Sequence, residues 1–175
     1  MRLAALLTTA GLKPCGSTSD PDVLRVVHDS REVTDGDLFC CIPGGTHDGH
    51  GFVAEAVSAG AVAVLAERSI GDATVPTVIV PSVRAVIGPV AAALHGWPSR
   101  ALDLVGVTGT NGKTSVVHLL RFILETSGRR AGSWGTLSGE RTTPEATNLQ
   151  ATIAGWVDDG VEAAAIEVSS HALAQ

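Results

Sequence analysis

The chain has 175 residues, of which 45% are hydrophobic and 17% charged, and its formal net charge is −6. That composition builds a core and excludes a disordered tail, and the length suits one large domain or two small ones. The acidic balance excludes a general nucleic-acid binder, which presents a basic face, yet leaves room for a local basic pocket holding an anionic small molecule.

The first stretch, MRLAALLTTAGLKP, holds an apolar run that is too short and too soon interrupted for a signal peptide or a membrane span. It reads as an amphipathic helix. From Val23 the text predicts a strand near Val23–His28, a turn at Thr34–Gly36 and a strand from Asp37 to Ile42. The loop PGGTHDGHG leads to a helix over roughly Phe52–Ala59, a C-cap at Gly60 and a strand at Ala61–Ala66. PTVIVPS is a further short buried strand, and Val83–His95 is helical, with Pro89 expected to kink the helix or split it in two. The cysteines Cys15, Cys40 and Cys41 read as small buried apolar side chains of a reducing cytoplasm. Adjacent Cys40 and Cys41 point to opposite faces of a strand, and neither a C-x-x-C pair nor a zinc-like Cys/His spacing occurs.

In HGWPSRALDL, Gly96 and Pro98 stop the helix, and Pro98 biases Trp97 towards an extended backbone. The domain boundary is placed there, giving domains 1–98 and 99–175. The second domain opens with a strand at Asp103–Val107, a glycine turn, and a helix from Lys113 to about Thr126 that stops at Gly128. RRAGSWGTLSGERTTPEATN is a strand-plus-loop region. Ala146–Asp159 is a helix with Leu149, Ile153, Trp156 and Val157 on one face, and Val161–Val168 is a buried strand ending in a polar cluster. Strand–helix–strand alternation predicts an α/β fold with parallel sheets.

The turn VTGTNGKTS carries the chemistry. Gly109 and Gly112 let the backbone turn sharply with its N–H groups inward, and the helix that follows adds the positive end of its dipole. Lys113 supplies a full positive charge for β- and γ-phosphates, and Thr114 a hydroxyl for Mg²⁺. The usual phosphate loop is G-x-x-x-x-G-K-[ST]. Here its first glycine is replaced by Val107, Gly106 standing one place too early, so only G-x-x-G-K-T is kept. Glu167 closes the next buried strand. An acid at the carboxyl end of a parallel strand, beside a phosphate turn, is suited to hold Mg²⁺ directly or through water. Ser169, Ser170 and His171 extend the same edge, and His171 reads as a packed strand-end side chain.

The motifs VTGTNGKTS, TTPEATNLQ and EVSSHALAQ, in that order, resemble the Mur ligases of peptidoglycan synthesis, most of all the group adding the third amino acid. DSREVTDGDLFCCIPG and DGHGFVAEAVSAGAVAVLAE resemble that family's N-terminal domain. The resemblance implies a small N-terminal UDP-binding domain followed by the start of a phosphate-loop ATP-binding domain. It implies ATP-driven amide formation through an acyl phosphate, with UDP-N-acetylmuramoyl-L-alanyl-D-glutamate and either diaminopimelate or lysine as substrates, and with ATP and Mg²⁺ as cofactors. No nucleic acid or membrane partner is implied, and the location is cytoplasmic. Gly109, Thr110, Asn111, Gly112, Lys113, Thr114 and Ser115 then bind ATP. Lys113 and Glu167 are catalytic, and Thr114 and Glu167 serve the metal. Ser30, Gly45, Thr46, His47, Thr142, Thr143, Ser169 and Gln175 contact the UDP-muramoyl substrate.

Structural readings stand beside these. Ser30 fits an Asx or ST turn with Asp29. Thr142-Thr143-Pro144 fits the cap of the following helix. His47 fits a solvated loop residue, and His47 with His50 lacks a third metal ligand. The resemblance further implies a longer protein, with a downstream histidine, a carbamylated lysine and an amine-reading domain beyond Gln175. The 175-residue chain alone is therefore expected to bind nucleotide poorly and to lack ligase activity. Two alternatives remain: another Mur-type, folate-type or cyanophycin-type ligase, and a non-catalytic nucleotide or UDP-sugar binding module. A phosphate-loop GTPase is disfavoured because no N-K-x-D follows the loop.

Overall fold

Short apolar runs separated by glycine and proline fold into two parallel sheets, one in each of two compact units, Met1–Gly96 and Trp97–Gln175. The computed structural model describes residues 1–13, 19–44, 48–71, 73–137 and 142–173, without the side chains of His171 and Leu173. Cys15 lies outside the described residues.

The first unit runs α1 (Leu3–Thr9), β1 (Arg25–Val27), β2 (Asp37–Cys40), α2 (Val53–Ser58), β3 (Ala61–Ala66), β4 (Thr77–Ile79) and α3 (Val83–Leu94). Its four strands lie in sequence order and are all parallel. Parallel strands bury both faces, which is why Leu38, Phe39, Val64 and Leu65 are all fully enclosed. Val27, Phe39, Val64 and Ala66 join Val53 and Ala56 of α2 in one cluster. Helix α3 packs against β1 and against α1. Each large aliphatic or aromatic side chain so enclosed contributes about 1.5–3 kcal/mol.

Pro89 does not split its helix: α3 is continuous from Val83 to Leu94. Pro89 and Ala85, whose carbonyl loses its helical donor to the proline, both lie on the exposed side, so the missing bond falls where solvent can replace it. The helix start is secured twice, by Glu67 Oε1 accepting from the Val83 amide at 2.8 Å and by Ser82 Oγ accepting from the Ala85 amide at 3.3 Å. At the end of α2 the cap is Ala59. Gly60 is the next residue, with φ +114°, where a side chain would run into the backbone of Asp35.

The second unit runs β5 (Asp103–Val107), α4 (Lys113–Thr126), β6 (Ala131–Trp134), α5 (Ala146–Asp158), β7 (Ala163–Glu167) and a short α6 (Ser170–Leu173). The sheet order is β5-β7-β6, all parallel, with the fully buried β7 in the centre. Ile153 of α5 packs with Leu102 and Ala164, and Leu149, Trp156 and Val157 surround them, so the predicted helix face is the one that docks. On the other face, Arg121 of α4 reaches Ser133 of β6 at 3.4 Å. Only Val117 of α4 is buried; Val116, Leu119, Phe122 and Ile123 are exposed, Phe122 at 65%, as is Val105 on the edge strand β5.

Several predicted ends move. His28 and Ile42 fall outside β1 and β2, and Val161 and Val168 outside β7. Trp97 is a clear correction. It is not extended but left-handed, at φ 60° and ψ 60°, the one non-glycine residue with positive φ among the described residues. A 3₁₀ turn at Pro98–Arg100 follows, with the Arg100 amide bonded to the Trp97 carbonyl at 3.0 Å and its guanidinium 4.8 Å from the centroid of the indole ring. These contacts offset a backbone cost of about 1–3 kcal/mol.

Candidate functional site

The carboxyl ends of β5 and β7 build the site. Val107 pairs with Glu167, and the Val168 amide donates to the Val107 carbonyl at 2.8 Å. The loop leaving β5 and the acid closing β7 therefore start from adjacent points on one sheet edge. Gly109 at φ +144° and Gly112 at φ +80° take backbone conformations that side chains resist. Gly112 is the N-cap of α4, and the first intrahelical bond runs from the Val116 amide to its carbonyl. The amides of Lys113, Thr114 and Ser115 thus face outward from the helix start, with no acid in the first turn. The loop 108–112 is exposed, Thr114 is half-buried, and the Lys113 ammonium folds back onto the Gly109 carbonyl at 2.8 Å. This is a positive, donor-rich cradle on a strand-to-helix turn, the arrangement that receives phosphate.

Glu167 is 1% exposed. It shares its row of the sheet with Val107, two residues beyond the row of Ala165 and Ser133 that faces α4, so its side chain lies on the α4 face. Its Oε1 accepts from the Thr136 amide at 3.0 Å and its Oε2 from the Thr136 hydroxyl at 3.3 Å. None of the ion pairs among the described residues reaches it. Among the described residues its donors are neutral, and a buried carboxylate with neutral donors alone is costly unless a cation completes it.

Thr143 does not cap α5, whose N-cap is Glu145, without a side-chain cap bond. Its hydroxyl donates to the Glu167 carbonyl at 3.0 Å and accepts from the Ser169 amide at 2.9 Å. Ser169 Oγ in turn accepts from the Ala172 amide at 3.1 Å. Thr142 Oγ1 lies 3.2 Å from Thr136 Oγ1. Thr142, Thr143, Ser169 and Glu167 thus form one polar cluster. Sequence reasoning missed Thr136, which joins them; the only local signal was a hydroxyl residue in SWGT at the end of a strand.

In the first unit, Ser30 starts a 3₁₀ turn. Asp29 accepts from the Arg31 amide at 3.0 Å, the Asx turn expected as the structural reading. Hydrogen bonding from the Arg31 side chain holds the Asp29 carboxyl down at about 2. Gly45, Thr46, His47 and Gln175 lie outside the described residues. His50 is not a metal ligand here: Nδ1 meets Asp48 Oδ1 at 2.6 Å, and Nε2 accepts from the Glu67 amide at 3.1 Å. Burial pushes the Cys41 thiol up to about 12 and Cys40 higher still, so both are inert apolar side chains. Among the described residues no three His, Cys, Asp or Glu side chains cluster for a metal, and no helix is long and apolar enough to cross a membrane.

Two family models match the chain: the Mur ligase middle domain over residues 107–175, and the Mur ligase family, catalytic domain, over residues 23–95. The UDP-N-acetylmuramoyl-L-alanyl-D-glutamate–2,6-diaminopimelate ligase of Bacillus licheniformis is 42% identical over 183 aligned residues, covering 99% of this chain and 37% of that protein. The protein of the same name from Geobacillus thermodenitrificans is 45% identical over 165 residues, covering 89% and 34%. A solved structure of a UDP-N-acetylmuramoyl-L-alanyl-D-glutamate–2,6-diaminopimelate ligase aligns with TM-score 0.72 and 26% identity, over 93% of this chain and 33% of that one. A MurF ligase from Thermotoga maritima in complex with ADP aligns with TM-score 0.60 and 26% identity, over 83% and 32%. The chain spans about a third of the length of these relatives.

Proposed function

The chain belongs to the Mur ligase family, and from that premise we propose that it carries the nucleotide-handling part of an ATP-dependent amide ligase acting on UDP-N-acetylmuramoyl-L-alanyl-D-glutamate. The reaction adds the third amino acid; the names of both relatives support diaminopimelate over lysine. One observation carries the reading: the Gly109–Ser115 loop and the buried Glu167 leave neighbouring strands at one sheet edge, on the face covered by α4.

ATP supplies the phosphoryl group that converts the substrate carboxylate to an acyl phosphate, and Mg²⁺ neutralises charge on the phosphates as it moves. The residues fit both. Loop amides and the Lys113 ammonium match phosphate oxygens. Thr114 and Glu167 offer the hard oxygen donors that Mg²⁺ prefers, one or two from protein and the rest from phosphate and water. Glu167 lacks a countercharge among the described residues, as a cation ligand would. Lys113 is drawn from the Gly109 carbonyl to the β- and γ-oxygens and stabilises the charge that develops there. Thr142, Thr143 and Ser169 hold the muramoyl-dipeptide beside the loop, while Ser30 and the Gly45–His47 loop serve the UDP. The first unit is then the UDP-binding domain and the second the start of the ATP-binding domain.

The test grafts this chain in place of the matching third of the Bacillus licheniformis relative and measures phosphate release. Release that requires both UDP-N-acetylmuramoyl-L-alanyl-D-glutamate and an amino acid, and is abolished by Lys113→Ala, is expected. Release with a different UDP-muramoyl peptide, but not this one, would move the chain to another ligase of the family. Nucleotide binding by the isolated chain with no release from the graft would overturn the ligase reading in favour of a binding module.

A further inference from the structure

Glu167 is the one buried acidic side chain among the described residues of the second unit, and the hydrogen bonds that its carboxylate accepts from described residues come from the turn after β6. Thr136 supplies both bonds, its amide to Oε1 and its hydroxyl to Oε2. An ionised carboxylate only accepts, so the single Thr136 hydroxyl proton is committed to Oε2. The bond between Thr136 Oγ1 and Thr142 Oγ1 must then run the other way, with Thr142 donating. A directed chain results, from Thr142 to Thr136 to Glu167. The neighbouring Gly135 is a steric requirement: a Cβ there would overlap Glu167 Oε1 and lie 2.6 Å from its carboxyl carbon.

We propose that Gly135 and Thr136 form a cradle that fixes the Glu167 carboxylate for a divalent cation, and that Thr136 is the positioning residue linking it to the Thr142–Thr143 loop. Two accepted bonds occupy one lone pair on each oxygen and leave the other free for a hard cation. The same bonds fix the rotation of the carboxylate, which otherwise sweeps a broad range about its last torsion. Outer partners of this kind, donating to a ligand without touching the metal, commonly set metal affinity. Thr143 bonds the Glu167 carbonyl while Thr142 reaches its carboxylate through Thr136, so a substrate that moves this loop moves the acid. The inference rests on the nucleotide reading above and adds two residues to it.

The experiment measures Mn²⁺ affinity of the 175-residue chain at millimolar ATP by water-proton relaxation, which reads weak binding. Thr136→Val should weaken Mn²⁺ about tenfold. Thr136→Ser, which keeps amide and hydroxyl, should stay within about twofold of the native chain by the same reasoning. Gly135→Ala should follow Thr136→Val, and metal-free ATP affinity should be unchanged in all three. Thermal melts identify any variant that has lost its fold. Native Mn²⁺ affinity in folded Thr136→Val, or a Thr136→Ser as weak as Thr136→Val, would overturn the cradle alone. Absence of any Lys113-dependent ATP binding in the native chain would overturn the nucleotide reading and the cradle with it.

Discussion

Thr143 is tied to Glu167 through the backbone, its hydroxyl donating to the Glu167 carbonyl at 3.0 Å while it accepts the amide of Ser169 two residues on. One side chain, 24 positions upstream, thereby closes the polar end of the central strand. Thr143→Val removes the donor and acceptor and leaves a carbonyl and an amide without it. The expected loss is about 1–3 kcal/mol in urea unfolding. Affinity for the UDP-muramoyl-dipeptide should fall with it, by calorimetry on the grafted protein. Thr143→Ser should recover most of both.

Lys113 makes a different kind of contact. Its ammonium donates to the Gly109 carbonyl, at the surface. Lys113→Ala should therefore leave the melting curve within about 0.5 kcal/mol of the native chain. ATP affinity, read by a fluorescent analogue, should drop tenfold or more, since a charged hydrogen bond to phosphate is worth about 1.5–3 kcal/mol.

Acid should destabilise the first unit through Asp29 and Asp48. Bonds from the Arg31 side chain hold Asp29 at about 2, and bonds from the His50 amide, then the His50 ring and Arg68, hold Asp48 well below the usual carboxylate range. Both folded values lie below the unfolded value of about 3.9. The stabilisation is thus complete above about pH 4 and is lost as pH falls through the folded values, towards pH 2 for Asp29. Urea midpoints measured from pH 6 down to pH 2.5 should fall, and more gently in the double variant Asp29→Asn, Asp48→Asn.

Much of this architecture followed from local pattern. Strands Ala61–Ala66 and Asp103–Val107 and the helix start at Lys113 lie where apolar runs and glycines placed them, because those signals act over a few residues. Trp97 did not, since the rule for a residue before proline lost to the turn at Pro98–Arg100 and the Arg100 contact. Pro89 sits inside a helix where it and Ala85, whose carbonyl it leaves without a helical donor, both lie on the exposed side, an orientation that only the packed helix reveals. Thr136 was invisible for another reason. It meets Glu167 across 31 positions, and only the pairing of β6 with β7 brings them together.

Gly60 offers a stability test free of the site. Its φ is +114°, and a Cβ would lie 2.7 Å from both Cα and N of Asp35. Gly60→Ala should destabilise the first unit by about 2–4 kcal/mol, combining backbone strain with a clash that neither chain segment relieves cheaply. Differential scanning calorimetry should place the loss in that unit.

Helix α4 exposes Leu119, Phe122 and Ile123, and the edge strand β5 exposes Val105. Open parallel edges with apolar neighbours promote association. Light scattering of the chain should rise with concentration, and Phe122→Glu should reduce it without lowering the melting temperature.

The two sheets also differ in when they can form. Strands β1 to β4 lie side by side in the order they leave the ribosome, so each newcomer finds its neighbour already in place. In the second sheet β5 and β6 are not paired, and the strand between them is the last of the three to be made. Until Ala163–Glu167 emerges, the two outer strands have no ladder to join, and Gly109–Ser115 has no framework. Synthesis halted before residue 163 would leave the phosphate loop without the strand that joins β5 to β6, and the three strands can pair only once Ala163–Glu167 is in place.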